Sequence, residues 1–237
     1  MTMTESDVGL WFADLDALWA AQGEALRGTL SDDELERAAG FRFERDRQRF
    51  VSRRALLRAL LAGSCGTEAA DLRFDYGSWG KPRLQQDPQL GFSTSHARGL
   101  AAVAIARGAD IGIDVERIRD DVDVDGLARR YFAPAEVDAL AAVPDAARTR
   151  AFFACWTRKE AFVKAIGRGL SYPLDSFAVS FANGDEPRIT VDDPPDESER
   201  WALHALDPGP GYVGALAVSG GRHVGAARWL EPADLPA

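Results

Sequence analysis

Apolar and polar residues alternate along several short stretches of this 237-residue chain, and each such stretch predicts a strand. VGLWFADL (8–15), LRFDY (72–76), LGFSTS (90–95), LAAVAIA (100–106) and IGIDVE (111–116) are bounded by turn residues. Further strands are expected near 176–182, 188–191, 201–206 and 212–218. Elsewhere the pattern lengthens to the helical period. Ser31-Asp32-Asp33-Glu34 opens a short helix, with Ser31 as N-cap and Glu34 at the third position, running to about Ala39. A longer helix is predicted from near Glu44 to Ala62, stopping before Gly63. APAEVDALAA (133–142) starts a helix with an early proline, and RTRAFFACWTRKEAFVKAI (148–166) is the clearest long helix in the chain. NGDEPRITVDDPPDESER (183–200) is acidic and proline-rich, and reads as a surface loop with one short strand.

A weak internal repeat organises these elements. VSRRALLRALL (51–61) aligns with WTRKEAFVKAI (156–166), 105 residues further on, and each long helix follows a short acidic one, SDDELERA or APAEVDAL. The expected fold class is therefore α+β, with two similar subdomains, 1–108 and 109–237, packed about a pseudo-two-fold axis. In this register Glu160 lies opposite Ala55, so the site between the halves is expected to be asymmetric.

Composition narrows the class. Hydrophobic residues make up 46% of the chain, enough to build a sizeable core. The N-terminus lacks a basic region followed by an apolar run, and no apolar stretch reaches the length of a membrane span. Cys65 and Cys155 share no metal or redox spacing, which fits a reducing cytoplasm. A net charge of −9 argues against nucleic acid as a partner. Charge is unevenly spread, however: RFERDRQRFVSRRALLR carries Arg42, Arg45, Arg47, Arg49, Arg53, Arg54 and Arg58 against Glu44 and Asp46. That stripe is either a solvated helix face or a surface for an anionic ligand or partner.

Four places could carry chemistry. In IGIDVE, strand alternation points Ile111, Ile113 and Val115 one way and Gly112, Asp114 and Glu116 the other. Paired carboxylates at a strand end are ordinarily solvated, but Gly112 beside them is expected to leave room for a ligand, and Mg²⁺ prefers such oxygens. On the 148–166 helix, Glu160 and Lys164 share a face in a segment rich in large apolar residues, where charge needs partners. Ser95 and His96 are adjacent, so in a strand they diverge and make a poor nucleophile pair, while a histidine and hydroxyls could hold phosphate oxygens. Gly80-Lys81-Pro82 lacks the spacing of a phosphate loop but fixes a lysine in a rigid turn, suited to an anion.

The order of these motifs resembles one family. GKP, then FSTSH, then IGIDVE, then WTRKEAFVKAIGRGL is similar to the signature series of 4′-phosphopantetheinyl transferases, in the double-length form that activates nonribosomal peptide and polyketide synthetases. The match is specific from Lys81 to Leu170 and only suggestive from Ser31 to Arg58.

The resemblance implies transfer of the 4′-phosphopantetheine arm of coenzyme A to a serine of an apo acyl or peptidyl carrier protein, with 3′,5′-ADP leaving, by a cytoplasmic monomer with coenzyme A between its halves. It implies Asp114, Glu116 and Glu160 as Mg²⁺ ligands, with Glu160 as general base. It places Lys164, His96 and Lys81 on the pyrophosphate, Pro82 beside Lys81, and Ser95 near the 3′-phosphate or ribose. Arg49 matches a basic position of the family and Arg37 a more variable one, whereas Glu34 stands where some relatives carry lysine. Carrier docking on the Arg42–Arg58 stripe, to be tested at Arg53 and Arg54, or on apolar residues between the halves is a further expectation. Two rival readings are a Mg²⁺-dependent nucleotide phosphohydrolase and a non-catalytic protein that binds coenzyme A or carrier domains.

Overall fold

The computed structural model describes residues 7–181, 186–191 and 197–235, so part of the acidic 183–200 stretch lies outside the described residues. The strand at the start of the chain, β1 (Asp7–Asp14), runs straight into helix α1 (Leu15–Gln22), which the alternation did not announce. Asp14 makes the junction: its carboxylate accepts from the amides of Asp16 (2.8 Å) and Ala17 (3.0 Å), capping the helix. Helices α2 (Asp32–Ala39) and α3 (Glu44–Cys65) follow, then a hairpin of β2 (Phe74–Tyr76) and β3 (Pro82–Leu84). Strands β4 (Leu90–Ala97), β5 (Leu100–Arg107) and β6 (Ile111–Arg117) come next. Helices α4 (Val124–Tyr131), α5 (Pro134–Ala141) and α6 (Asp145–Ile166) precede a small pair of strands, β7 (Phe177–Val179) and β8 (Ile189–Val191). The chain ends with β9 (Trp201–Leu206), β10 (Tyr212–Ser219), β11 (His223–Val224) and β12 (Arg228–Leu230).

Two main sheets form, one in the order β11-β1-β5-β4 with β12 also on β1, the other β6-β10-β9. An inner strand of each, β5 and β10, is buried on both faces, which explains why LAAVAIA is apolar throughout rather than alternating. Val8, Leu10 and Phe12 of β1 and Ala102, Ala104 and Ala106 of β5 meet Ile113, Val115, Leu216 and Val218 of the second sheet. The opposite face of the first sheet, with Val103 and Ile105, packs under Leu56, Leu57 and Leu61 of α3. The opposite face of the second, with Ala215 and Ala217, packs under Phe152, Phe162 and Val163 of α6. The layers thus run helix, sheet, sheet, helix.

The same arrangement occurs twice along the chain. Sheet orders β1-β5-β4 and β6-β10-β9 correspond strand for strand, and α3 and α6 are each 22 residues long. Each long helix ends on a left-handed glycine, Gly66 at φ 69° and Gly167 at φ 68°, a backbone that a side chain would strain. The helices begin at 44 and 145, so the structural offset is 101, one helical turn from the 105 of the sequence match. Basic and apolar residues recur on amphipathic helices at helical spacing, so two such helices match nearly as well one turn out. Helix α3 also runs past Gly63, where open space costs a glycine only propensity, to its cap at Gly66.

A buried acid–base device repeats as well. Glu34 at the third position of α2 accepts from the Ser31 amide (3.1 Å) and Glu136 of α5 from the Ala133 amide (2.8 Å). Arg58 of α3 binds Glu34 at 2.7 Å, joined by Arg54, and Lys159 of α6 binds Glu136 at 2.7 Å. Paired and hydrogen-bonded, these charges are tolerated in the interior.

Two expectations are corrected here. The arginine stripe is not wholly free, though Arg42 and Arg45 stay exposed: Arg47 is held by Glu44, Arg49 by Asp16, and Arg54 and Arg58 by Glu34. Nor does the segment after residue 108 stay with the second sheet, since β11 and β12 pair with β1 and Leu235 enters the core beneath the first sheet.

Candidate active site

Strands β4 and β6 lie side by side where the two sheets meet, and their seam carries the polar residues. Ser93 and Ser95, two apart on β4, share a face. The Ser93 hydroxyl accepts from the Ile113 amide (3.1 Å), and the Ser95 hydroxyl donates to Oδ1 of Asp114 (2.8 Å). Lys164 reaches in from α6, its ammonium donating to Asp114 Oδ1 (2.8 Å), Ser95 Oγ (3.1 Å) and the Ile113 carbonyl (3.1 Å). The ammonium therefore has three oxygen partners, and Asp114, only 5% exposed, is charge-compensated.

Gly112 has a different role from the one its sequence context suggested. A Cβ there would lie 2.0 Å from the Ala161 carbonyl oxygen and 2.3 Å from the Ala165 amide. The space beside the acids is filled by the α6 backbone, and the glycine lets that helix lie directly on β6.

Glu160, one turn before Lys164, faces the same seam. Its Oε1 and the second oxygen of Asp114, Oδ2, are buried with no hydrogen-bond partner among the described residues. Burial, then the Asp114 charge, push the Glu160 carboxyl above the usual carboxylate range, with Lys164 opposing. Glu116 at the strand end is raised by the same two causes, against Arg119 and Lys164. In this conformation no three His, Cys, Asp or Glu side chains among the described residues are gathered closely enough to hold one ion. Two orphaned carboxylate oxygens nonetheless suit a hard divalent cation, and the Lys164 ammonium is the positive charge now seated on Asp114.

His96 alternates to the opposite side of β4 from Ser95. There a cavity of about 260 Å³ is lined by Phe41, Asp46, Arg49, Phe50, Arg53, His96 and Arg98. Loss of water around the ring, then Arg53, Lys164 and Arg49, lower the His96 imidazole to about 4, so it is neutral at pH 7. Arg49 is turned partly away, in a two-pronged pair with Asp16 at 2.7 and 2.5 Å, and the exposed Arg37 lies 5.5 Å over the Phe50 ring. Arg53 was not among the expected site residues. Its Nε is buried and unpartnered among the described residues, and burial, then Arg54 and Arg37, lower its pKa to about 10. The available signal was its spacing: it follows Arg49 by four residues on a helix and so shares its face.

Lys81 is not brought into this group. A turn closed by Gly80 N–H to Gly77 O (2.8 Å) and Gly77 N–H to Lys81 O (2.9 Å) fixes it. Its ammonium donates to the carbonyls of Ala165 (2.7 Å) and Ile111 (3.2 Å), and burial lowers its pKa to about 8. Pro82 lines a separate cavity of about 390 Å³, with Arg83, Asp110 and Arg200 among its walls.

Two carboxylates with unpartnered oxygens, a lysine that bridges a strand and a helix, and a cavity walled by three arginines thus lie on neighbouring elements. Residues 110–217, which span β6, α6 and β10, match the family 4′-phosphopantetheinyl transferase superfamily. The 4′-phosphopantetheinyl transferase HetI of Nostoc sp. is 36% identical over 93% of this chain and 91% of its own length. The 4′-phosphopantetheinyl transferase Sfp of Bacillus subtilis is 27% identical over 84% and 86%. The chain belongs to the 4′-phosphopantetheinyl transferase superfamily. Its reaction is the transfer of phosphopantetheine to carrier proteins.

Proposed function

We propose that this chain takes the 4′-phosphopantetheine arm from coenzyme A and places it on a serine of an apo acyl or peptidyl carrier protein, as holo-[acyl-carrier-protein] synthases do, with carriers of peptide and polyketide synthetases as its substrates. The observation that carries this is the Lys164–Asp114–Ser95 cluster with orphaned Asp114 and Glu160 oxygens beside it, inside the matched segment. In this reading the chain acts as a monomer, its repeated halves related by a pseudo-two-fold axis, and coenzyme A lies across the β4–β6 seam.

Asp114, Glu116 and Glu160 would hold Mg²⁺, which when bound disperses negative charge on the two phosphates of coenzyme A. Lys164 stands beside the seam and neutralises the diphosphate as the bond to the α-phosphate breaks. The carrier serine oxygen bonds to the β-phosphorus, which keeps the pantetheine arm, and 3′,5′-ADP departs with the bridging oxygen. Glu160, which faces the seam with one oxygen unpartnered among the described residues, accepts the serine proton. Ser95 holds Lys164 and Asp114 in register. His96, neutral, donates to phosphate oxygens rather than adding charge, while Arg49, Arg53 and Arg98 line its cavity, with Arg37 over the Phe50 wall, and make it attractive to the remaining phosphate.

Intact-mass spectrometry of an apo carrier domain with this protein, coenzyme A and Mg²⁺ tests the reading. A gain of one phosphopantetheine arm, abolished by EDTA, is expected. Coenzyme A breakdown without gain on several carriers would indicate a phosphohydrolase, and neither change a binding protein.

A further inference from the structure

The Lys81 ammonium is half-buried at the end of β6 away from the Lys164 cluster, and its two acceptors belong to α6 and β6, the elements that Lys164 also bridges. The Ala165 carbonyl is in the last turn of α6, where carbonyls lack helical partners and the helix dipole favours a cation. The Ile111 carbonyl opens β6. Between these points Gly112 lets the two backbones touch, and next to Ala165 in sequence Lys164 binds the Ile113 carbonyl and Asp114. The stem is seated too: a Cβ on Gly167, just beyond α6, would lie 2.9 Å from Cδ of Lys81. Among the described residues this ammonium donates to those two carbonyls and not to Asp114, Glu116 or Glu160.

We infer that Lys81 is a positioning residue, which ties the end of α6 to the start of β6 and so sets the Lys164–Asp114 alignment, and that its ammonium does not hold the substrate's phosphates. The inference rests on the transfer reading given above. A small slip of α6 along β6 would leave Lys164 bound to oxygen but misaligned with the breaking bond, and a misplacement of about 1 Å costs on the order of a hundredfold in rate.

The test compares Lys81→Met with the unaltered protein in three measurements. First, kcat for carrier modification is expected to fall roughly ten- to a hundredfold. Second, the Kd for 3′,5′-ADP, measured by calorimetry, is expected to stay within about threefold, because a lost charge-assisted phosphate contact would weaken it by roughly tenfold or more. Third, adding Lys81→Met to Lys164→Ala is expected to change kcat by less than about threefold, since a residue acting through Lys164 has nothing left to align. Should Lys81→Met not fold, Lys81→Gln carries the same measurements. An unchanged kcat, a Kd weakened tenfold or more, or additive effects would overturn the inference. If the unaltered protein modifies no carrier, the transfer reading has failed and this one falls with it.

Discussion

Lys164 and Asp114 are joined by a 2.8 Å ion pair that spans helix α6 and strand β6, and Ser95 of β4 hydrogen-bonds to both. Three elements from two sheets and a helix thus converge on one carboxylate. Lys164→Ala leaves the Asp114 charge buried without its cation. Removing one partner of a fully buried pair costs about 3–5 kcal/mol. The Lys164 side chain is 31% exposed, so water screens part of that, and about 1–2 kcal/mol is expected in urea unfolding. The fall in kcat should be far larger, roughly a hundredfold or more.

Glu160→Gln separates catalysis from stability. Its Oε1 is buried near Asp114 and unpartnered among the described residues, so the amide should leave stability unchanged or slightly higher. Loss of the base should lower kcat by roughly 10²- to 10⁴-fold, measured on carrier at saturating coenzyme A. A drop in stability with kcat retained would remove Glu160 from the chemistry.

The same carboxylates set a pH dependence. Glu116 and Glu160 are raised above the ordinary value of 4.5, so near and above that pH the folded protein binds more protons than the unfolded chain. Their contribution to stability therefore grows as pH falls from neutral toward 4.5 and disappears as pH rises through their folded pKa values. His96 and His204 are lowered and act in the opposite direction across their own range. The Glu116→Gln/Glu160→Gln double variant isolates the acids: urea unfolding from pH 7 to 5, in EDTA, should lose that stabilising increment.

Glu34→Gln addresses the arginines of α3. Arg58 is 1% exposed and depends on Glu34, so the substitution is expected to cost about 3–5 kcal/mol. The KM for the carrier, measured on the folded fraction, should be unchanged. A raised carrier KM at unaltered stability would restore the stripe as a docking face.

Gly112→Ala tests the close approach of α6 to β6. The added methyl meets helix backbone, which cannot rotate away, so a loss of about 1–3 kcal/mol is expected. A tenfold or greater fall in kcat should accompany it, because the displaced helix carries both Glu160 and Lys164.

What the sequence disclosed depended on range. Local signals read well: the Ser31–Glu34 capping box, the proline opening α5 and the alternation of β6 each lie within a few residues. Motif order named Ser95, Asp114, Glu160 and Lys164, but it assigned Ser95 to a 3′-phosphate or ribose, whereas Ser95 bonds to Asp114 and Lys164. Long-range partners were not legible. Nothing near Gly112 says that a helix 50 residues away fills the space above it, and nothing near Lys81 names Ala165 as its acceptor. Glu34 reads as a capping residue, and nothing near it names its arginines, which stand 20 and 24 residues further on. Strands β11 and β12 are too short to leave an alternating pattern, so the return of the chain to the first sheet was invisible.

The most direct test of the account is stoichiometric: 3′,5′-ADP released and phosphopantetheine arms gained by an apo carrier, counted in one reaction with coenzyme A and Mg²⁺. The account predicts one 3′,5′-ADP per arm, with both falling together in Glu160→Gln. Release of 3′,5′-ADP without a matching gain on the carrier would contradict it.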